Sequence, residues 1–225
     1  ILVTGAMGFV GKNLVPALLK KGLGVQIVTK NRKVSYGRKV KYYITDIEKN
    51  FPATAIKEID AIIHLASEVG INQSIQSPRE RMEHNLFMTL SVLEAVRKSN
   101  NRPLIVFAST DRLYGRTTKA LVTEAEPAFP IEPYTASKIL SETVLATYAH
   151  LYDIPYIILR FDSIYGPHQP KEMFISDIIQ KMMRESHIIT GSLHIRKNFV
   201  YVDDVVNAII LSIKAPKSAY NRIYN

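Results

Sequence analysis

The chain has 225 residues, 47% hydrophobic and 22% charged, with no cysteine and a formal net charge of +9. That is enough apolar material for one large domain, and it excludes a disordered chain, a disulfide scaffold and a thiolate metal site. No apolar run reaches the ~18 residues that a membrane helix needs, and the apolar start, broken by Gly5, Gly8 and Gly11, lacks the basic flank of a signal peptide.

The absence of cysteine fits a reducing compartment, so a cytoplasmic protein without a membrane partner is expected. The histidines (64, 84, 150, 168, 187 and 194) never fall four apart, so no helical metal pair is expected and no metal is assigned. The chain begins at Ile1 inside a strand-like run and ends strand-like at Tyr224-Asn225, which suggests missing residues at both ends.

Residues 1–4 predict a buried strand, followed by Gly5, Gly8 and Gly11 and a helix carrying Val10, Leu14, Ala17 and Leu18 on one face. A strand, a G-x-x-G-x-x-G turn and a helix start let backbone approach a pyrophosphate, which the helix N–H groups can bind. Gly5, Gly8, Phe9, Val10 and Gly11 are therefore cofactor candidates. A ligand-free glycine turn is the bland alternative.

The second strand, 25–29, ends at Thr29-Lys30-Asn31-Arg32 with no carboxylate. A dinucleotide enzyme that prefers NAD usually places an acid there, on the ribose hydroxyls. Lys30 and Arg32 would instead attract a 2′-phosphate, so NADP is expected, with NAD as runner-up. Nine basic residues and no acidic one precede Asp46, whereas basic and acidic residues balance at 20 each after position 45. This start reads either as a solvated basic face or as the seat of an anionic cofactor. Tyr36, Tyr42 and Tyr43 could stack bases, but no nucleic-acid motif accompanies them, and no nucleic-acid partner is expected.

A third strand at 40–44 leads to Asp46-Ile47, candidates for the adenine end, with a helix cap as Asp46's alternative role. A fourth at 60–65 runs into His64-Leu65-Ala66-Ser67, where Leu65 and Ala66 suit close packing beside a cofactor and His64 reads as structural. A helix is predicted from Ser77-Pro78 through Leu86, Leu90, Leu93 and Val96.

The strand 103–108 ends at Ser109-Thr110-Asp111, and a further helix holds Tyr134, Lys138, Ser141, Leu145 and Tyr148. Tyr134 and Lys138 lie one helical turn apart. A lone Y-x-x-x-K proves little; its position after a hydroxyl-bearing strand end gives it value. A cationic Lys138 would lower the Tyr134 pKa and bind the nicotinamide ribose. Tyr134 would act as general base on a substrate hydroxyl, and Thr110 would hold the same oxygen.

After a strand at 155–160 and Tyr165-Gly166-Pro167 the regularity loosens. Helices are predicted near 173–185 and 203–214, with a short strand Phe199-Val200-Tyr201. Strands alternating with helices specify an α/β, doubly wound parallel sheet. The expected organisation is a Rossmann-type cofactor domain over 1–166, a substrate-side excursion over 167–198, and a return to the main sheet over 199–225. A small C-terminal substrate region would start there, incomplete in this chain.

These residues resemble the extended short-chain dehydrogenase/reductases, in particular the NAD(P)-dependent nucleotide-sugar epimerase/dehydratase group. The resemblance rests on T-G-A-x-G-F-x-G at 4–11, H-L-A-S at 64–67, Asn85, S-T-x-x-x-Y-G at 109–115, Y-x-x-x-K at 134–138, R-x-x-x-x-Y-G-P at 160–167 and F-V-Y-V-D-D at 199–204, in that order. It implies a tightly held nicotinamide cofactor, the catalytic set Thr110, Tyr134 and Lys138, a nucleoside-diphosphate sugar as substrate, and a homodimer through a four-helix bundle.

The resemblance also implies substrate contacts from Asn85, Ser163 (where many relatives carry Asn) and Lys197 beside Arg196. Dehydratases of the group often read S-T-D-E-V-Y-G. Here Asp111 matches the acid, but Arg112 replaces the glutamate and cannot act as a base. Epimerisation by transient oxidation of a sugar hydroxyl is therefore expected. A dehydratase or reductase is the alternative, and a non-catalytic NADP-binding sensor is the rival of another class.

Overall fold

The structure, a computed structural model, describes all residues except 32, 33, 118, 120, 186 and 190–196, and gives only the backbone of 71–73. In chain order the elements are β1 (Leu2–Thr4), α1 (Phe9–Lys20), β2 (Gln26–Thr29), β3 (Lys41–Ile44), β4 (Ala61–His64), α2 (Ile71–Gln76), α3 (Pro78–Lys98) and β5 (Leu104–Thr110). Then follow a 3-10 turn (Asp111–Tyr114), α4 (Pro133–Tyr152), β6 (Tyr156–Phe161), β7 (Ser163–Tyr165), α5 (Phe174–Met182), β8 (Phe199–Tyr201), α6 (Val202–Ile213) and β9 (Arg222–Tyr224).

The main sheet has seven parallel strands in the order β3-β2-β1-β4-β5-β6-β9. The order reverses between β1 and β4. In a doubly wound sheet that point opens a crevice beyond the carboxyl ends of the strands. The central strands are apolar on both faces because helices cover both. Leu2, Ile62, Ile105 and Ile158 pack against α3 and α4, with Val92, Leu93 and Leu145 among the buried partners. Val3, Ile63, Val106 and Ile157 face α1 and α6, meeting Leu14, Leu18, Val205 and Ile209. Each such side chain stabilises the fold by about 1.5–3 kcal/mol through burial.

Alpha-3 and α4 meet through small polar residues. Asn85 Nδ2 donates to Ser137 Oγ at 3.0 Å, and the Thr89 and Ser141 hydroxyls lie 3.2 Å apart. The chain of bonds continues through His64, whose ring nitrogens meet Thr89 Oγ1 at 3.3 Å and Thr4 Oγ1 at 2.7 Å. Burial drives the His64 pKa down to about 3, helped by the Lys138 charge, so the ring stays neutral. A satisfied buried network of this kind fixes α4 against β1 and β4.

Within 199–225 two strands part ways: β8 pairs in parallel with β7 in a separate two-stranded sheet, and β9 is the strand that joins the main sheet. Chain geometry explains it. The main strand β6 stops at Phe161, and Gly166 at φ 140° followed by Pro167 turns the next segment outward. Alpha-6 packs back on the α1 face, and β9 extends the main sheet beside β6.

Candidate active site

The glycine turn is built by exclusion. Gly5 sits at φ 70°, and a Cβ there would stand 2.6 Å from the backbone of Leu65 and Ala66. A Cβ on Gly11 would stand 2.5 Å from Gly5 O, whereas one on Gly8 meets only Gly5 O at 3.2 Å and faces outward. Gly5 and Gly11 thus let β1, β4 and α1 close up, and Gly8 keeps the outer face bare. The first turn of α1 carries no acidic side chain and no side-chain cap. The N–H groups of Phe9, Val10 and Gly11 therefore remain for an anion. Leu65 and Ala66 are pinned against this turn, their amides donating to Thr4 O at 3.3 Å and Thr4 Oγ1 at 3.2 Å. A pyrophosphate fits this cradle.

At the adenosine end Lys30 Nζ lies 3.3 Å from Asp46 Oδ2. Asp46 Oδ1 also accepts from the Glu48 amide at 3.2 Å, and Ile47 is buried in the core beneath. Arg32 lies outside the described residues. Tyr36, absent from the sequence-based site, donates its hydroxyl to Ala6 O in the glycine turn at 2.8 Å. Burial pushes its pKa up to about 12, so it serves this bond as a neutral donor. Nothing local in the sequence places a tyrosine 30 residues away over the turn.

Beyond the sheet edge, Thr110 ends β5 and its Oγ1 accepts the Arg112 amide at 3.3 Å. With one lone pair held, its O–H is directed to donate. Tyr134 and Lys138 follow on α4. Lys138 is buried, its Nζ donating to Ala108 O at 2.9 Å and lying 4.7 Å from the Phe107 ring centroid and 5.8 Å from that of Tyr134. Burial lowers its pKa to about 8 against the upward pull of Glu142.

The expected lowering of the Tyr134 pKa by Lys138 is corrected. Burial pushes the Tyr134 hydroxyl well above its usual range, and the opposing charge is that of Arg112. Arg112 in turn pairs with Glu132 at 3.0 Å. Arg112, the residue that departs from the dehydratase pattern, is thus the cation that acts on the Tyr134 phenol.

Asp111 follows Thr110 at the end of β5, and Asp162 follows Phe161 at the paired end of β6. The two carboxyls share a hydrogen bond. Burial first, and then Asp162, push Asp111 up to about 7, with Arg112 opposing. Asp111 Oδ1 is buried without a hydrogen-bond partner, and Asp162 Oδ1 accepts the Ser163 amide at 2.5 Å. Two carboxylates this close cannot both ionise cheaply. Asp162 escapes sequence reading because its partner is set by strand register, 51 positions away in number.

The remaining candidates scatter. Asn85 spends its amide inside the protein: Oδ1 accepts from the Glu68 amide at 2.7 Å and Ser67 Oγ at 3.1 Å, and Nδ2 donates to Glu68 O at 3.3 Å and to Ser137. It shapes the loop after β4. Ser163 opens β7 next to Asp162. Lys197 is exposed, with Nζ 5.9 Å from the Phe199 ring centroid, and Arg196 lies outside the described residues. Among the described residues no cluster of three acidic or histidine side chains could hold a metal.

Three comparisons bear on this arrangement. The family model "NAD dependent epimerase/dehydratase family" matches residues 1–225. A putative UDP-glucose 4-epimerase of Methanocaldococcus jannaschii is 32% identical over 222 residues, covering 95% of this chain and 73% of that protein. The crystal structure of a UDP-glucose 4-epimerase from Thermotoga maritima with UDP-glucose superposes with a TM-score of 0.86 at 28% identity, covering 100% of this chain and 75% of that one. A UDP-glucuronic acid 4-epimerase from Bacillus cereus, in complex with UDP-glucuronic acid and NAD, gives a TM-score of 0.89 at 25% identity, with coverage of 100% and 76%. With its glycine cradle, its Thr110, Tyr134 and Lys138 at one sheet edge, and a family match along its whole length, this chain belongs to the NAD-dependent epimerase/dehydratase family.

Proposed function

We propose that the chain is a 4-epimerase of a UDP-linked sugar, with Thr110, Tyr134, Lys138 and Asp111 as its catalytic groups and NAD as its cofactor. The observation that carries this reading is the placement of Thr110 and Tyr134 beside Arg112. A hydroxyl donor and a phenol lie near one cation at the carboxyl end of the sheet, and that cation, Arg112, stands where a dehydratase carries the glutamate that removes a proton beside a keto group.

Tyr134 takes the proton of the sugar hydroxyl and returns it after inversion. The charge of Arg112 favours the phenolate that this demands. Thr110 donates to the same oxygen as it becomes a carbonyl, and Lys138, fixed by Ala108 O, offers its remaining protons to ribose hydroxyls. When bound, the nicotinamide would supply the acceptor and later donor for the hydride of the carbon bearing that hydroxyl, and Lys138 would hold its ribose.

NAD is supported over the NADP suggested by Lys30 and Arg32, because Lys30 is already paired with Asp46. That carboxylate would repel a 2′-phosphate. The sugar is one with an uncharged C6, since the Asp111–Asp162 pair beside Thr110 disfavours a uronic acid. A homodimer is supported by the outward surfaces of α3 and α4, which expose Phe87, Leu140 and Leu151. Among the described residues no helix is long and apolar enough to cross a membrane, and a cytoplasmic location is part of this reading.

The test is product analysis by anion-exchange chromatography with UDP-glucose, UDP-N-acetylglucosamine and UDP-glucuronate. The 4-epimer of an uncharged sugar, formed without net consumption of cofactor, supports the reading. A 4-keto sugar that accumulates points to a dehydratase, stoichiometric NADPH consumption to a reductase, and no turnover to a non-catalytic dinucleotide-binding sensor.

A further inference from the structure

Behind the catalytic groups lies a buried ion pair that the chemistry above does not use. Glu142 and Arg160 are each 6% exposed, and Arg160 bonds both carboxylate oxygens, Nη2 to Oε2 at 2.6 Å and Nε to Oε1 at 3.1 Å. Glu142 Oε1 also accepts the Ser109 hydroxyl at 2.5 Å, and Arg160 Nη1 donates to Tyr114 OH at 2.7 Å. Every group in the cluster has a partner, so the burial of two charges is offset by directed bonds rather than by solvent.

The placement matters more than the pairing. Lys138 and Glu142 are one turn apart on α4, and they grip consecutive residues of β5, Ala108 through its carbonyl and Ser109 through its hydroxyl. The next residue is Thr110. Two side chains of the helix that carries Tyr134 therefore fix the strand end that carries Thr110. We propose that Glu142 is a positioning residue of the reaction: anchored by Arg160 and holding Ser109, it sets the spacing of Thr110 from Tyr134 and holds a negative charge one turn from Lys138.

This rests on the catalytic reading above. The groups facing Lys138 are Tyr134 and Glu142 from α4, the Phe107 ring and Ala108 carbonyl from β5, and neutral His64 from β4, with Arg160 of β6 acting through Glu142. Glu142 is the single anion among them. Without it, burial acts on Lys138 unopposed, and the lysine loses its proton at lower pH.

The test uses the full chain and two readouts. Protein labelled with 13C at lysine Cε is titrated by NMR, the Lys138 signal being assigned by its loss in Lys138→Met. Glu142→Gln, which keeps the shape and the bond from Ser109, is expected to lower the Lys138 midpoint by at least one pH unit, a tenfold change in its proton affinity. Glu142→Asp keeps the charge and shortens the reach. It is expected to hold the midpoint while kcat falls about tenfold and KM for the sugar nucleotide changes less than twofold.

An unmoved midpoint in folded Glu142→Gln overturns the electrostatic part, and an unchanged kcat in folded Glu142→Asp overturns the positioning part. Should Glu142→Gln fail to fold, Ser109→Ala carries the positioning test: kcat falls and the Lys138 midpoint stays. If the wild type shows no epimerase activity while the midpoint moves as expected, it is the proposed function that fails.

Discussion

Asp111 and Asp162, 51 residues apart in the chain, end two neighbouring strands and share a hydrogen bond between their carboxyls. The folded state raises the Asp111 pKa from 3.8 to about 7, so it binds a proton there that the unfolded chain has released. A group raised in this way favours folding below its unfolded value, and the benefit fades as pH climbs through the folded value. Between pH 4 and pH 7 stability should therefore fall with rising pH on account of this pair. Asp111→Asn removes the effect. Solvent at the partly exposed carboxyl screens the repulsion, so a gain of about 1 kcal/mol, or roughly 2–4 °C in Tm, is expected at pH 8. At pH 4 the variant and wild type should melt together in calorimetry.

Arg112 and Tyr134 make the second case. The arginine is the cation that opposes the upward drift of the phenol, and Glu132 works against it. Arg112→Gln should move the acidic limb of the kcat profile, which reports Tyr134, about one unit higher, equivalent to ~1.4 kcal/mol. Turnover at pH 7 should then drop roughly tenfold. A limb that stays in place would assign the perturbation of Tyr134 elsewhere.

Gly5 and Gly8 of the turn should respond differently. Gly5→Ala forces a side chain into backbone at φ 70° and should cost roughly 2–4 kcal/mol in denaturant unfolding, combining strain with overpacking. Gly8→Ala meets only one carbonyl and should alter stability by less than about 1 kcal/mol. Its methyl nevertheless stands in the pyrophosphate cradle, so NAD affinity measured by calorimetry should fall about tenfold, or ~1.4 kcal/mol.

Sequence periodicity was enough to place β1 to β6 and the long helices, because all of these but the edge strand β3 bury apolar residues whose spacing is visible in the letters. Thr110, Tyr134 and Lys138 were legible for the same reason: a strand end and one helical turn fix their neighbourhood. What escaped depends on register. The Asp111–Asp162 pair and the Glu142–Arg160–Ser109 grip exist because β5 and β6 align residue for residue, a fact no local pattern carries. Two signals were present, an arginine inside the apolar run Tyr156–Phe161 and a glutamate one turn beyond Lys138. The strand Phe199–Tyr201 was readable, but its pairing with β7 was hidden because no local pattern names a strand's partner.

The proposed preference for NAD rests on Lys30 and Asp46. With the lysine held at 3.3 Å by that carboxylate, NAD should bind about tenfold tighter than NADP, a difference of ~1.4 kcal/mol. Asp46→Asn frees the ammonium and removes the anion, and should narrow the ratio severalfold in fluorescence titrations. A ratio indifferent to Asp46→Asn would place the discrimination outside this pair.

The central claim is that Tyr134 moves the proton of a sugar hydroxyl while the cofactor stays bound, and the most direct test is Tyr134→Phe assayed with UDP-glucose. Wild-type protein should carry UDP-glucose to its equilibrium with the 4-epimer. The variant should bind NAD with unchanged affinity and lose turnover by about 10²–10⁴-fold. Turnover within tenfold of the wild type would contradict the account.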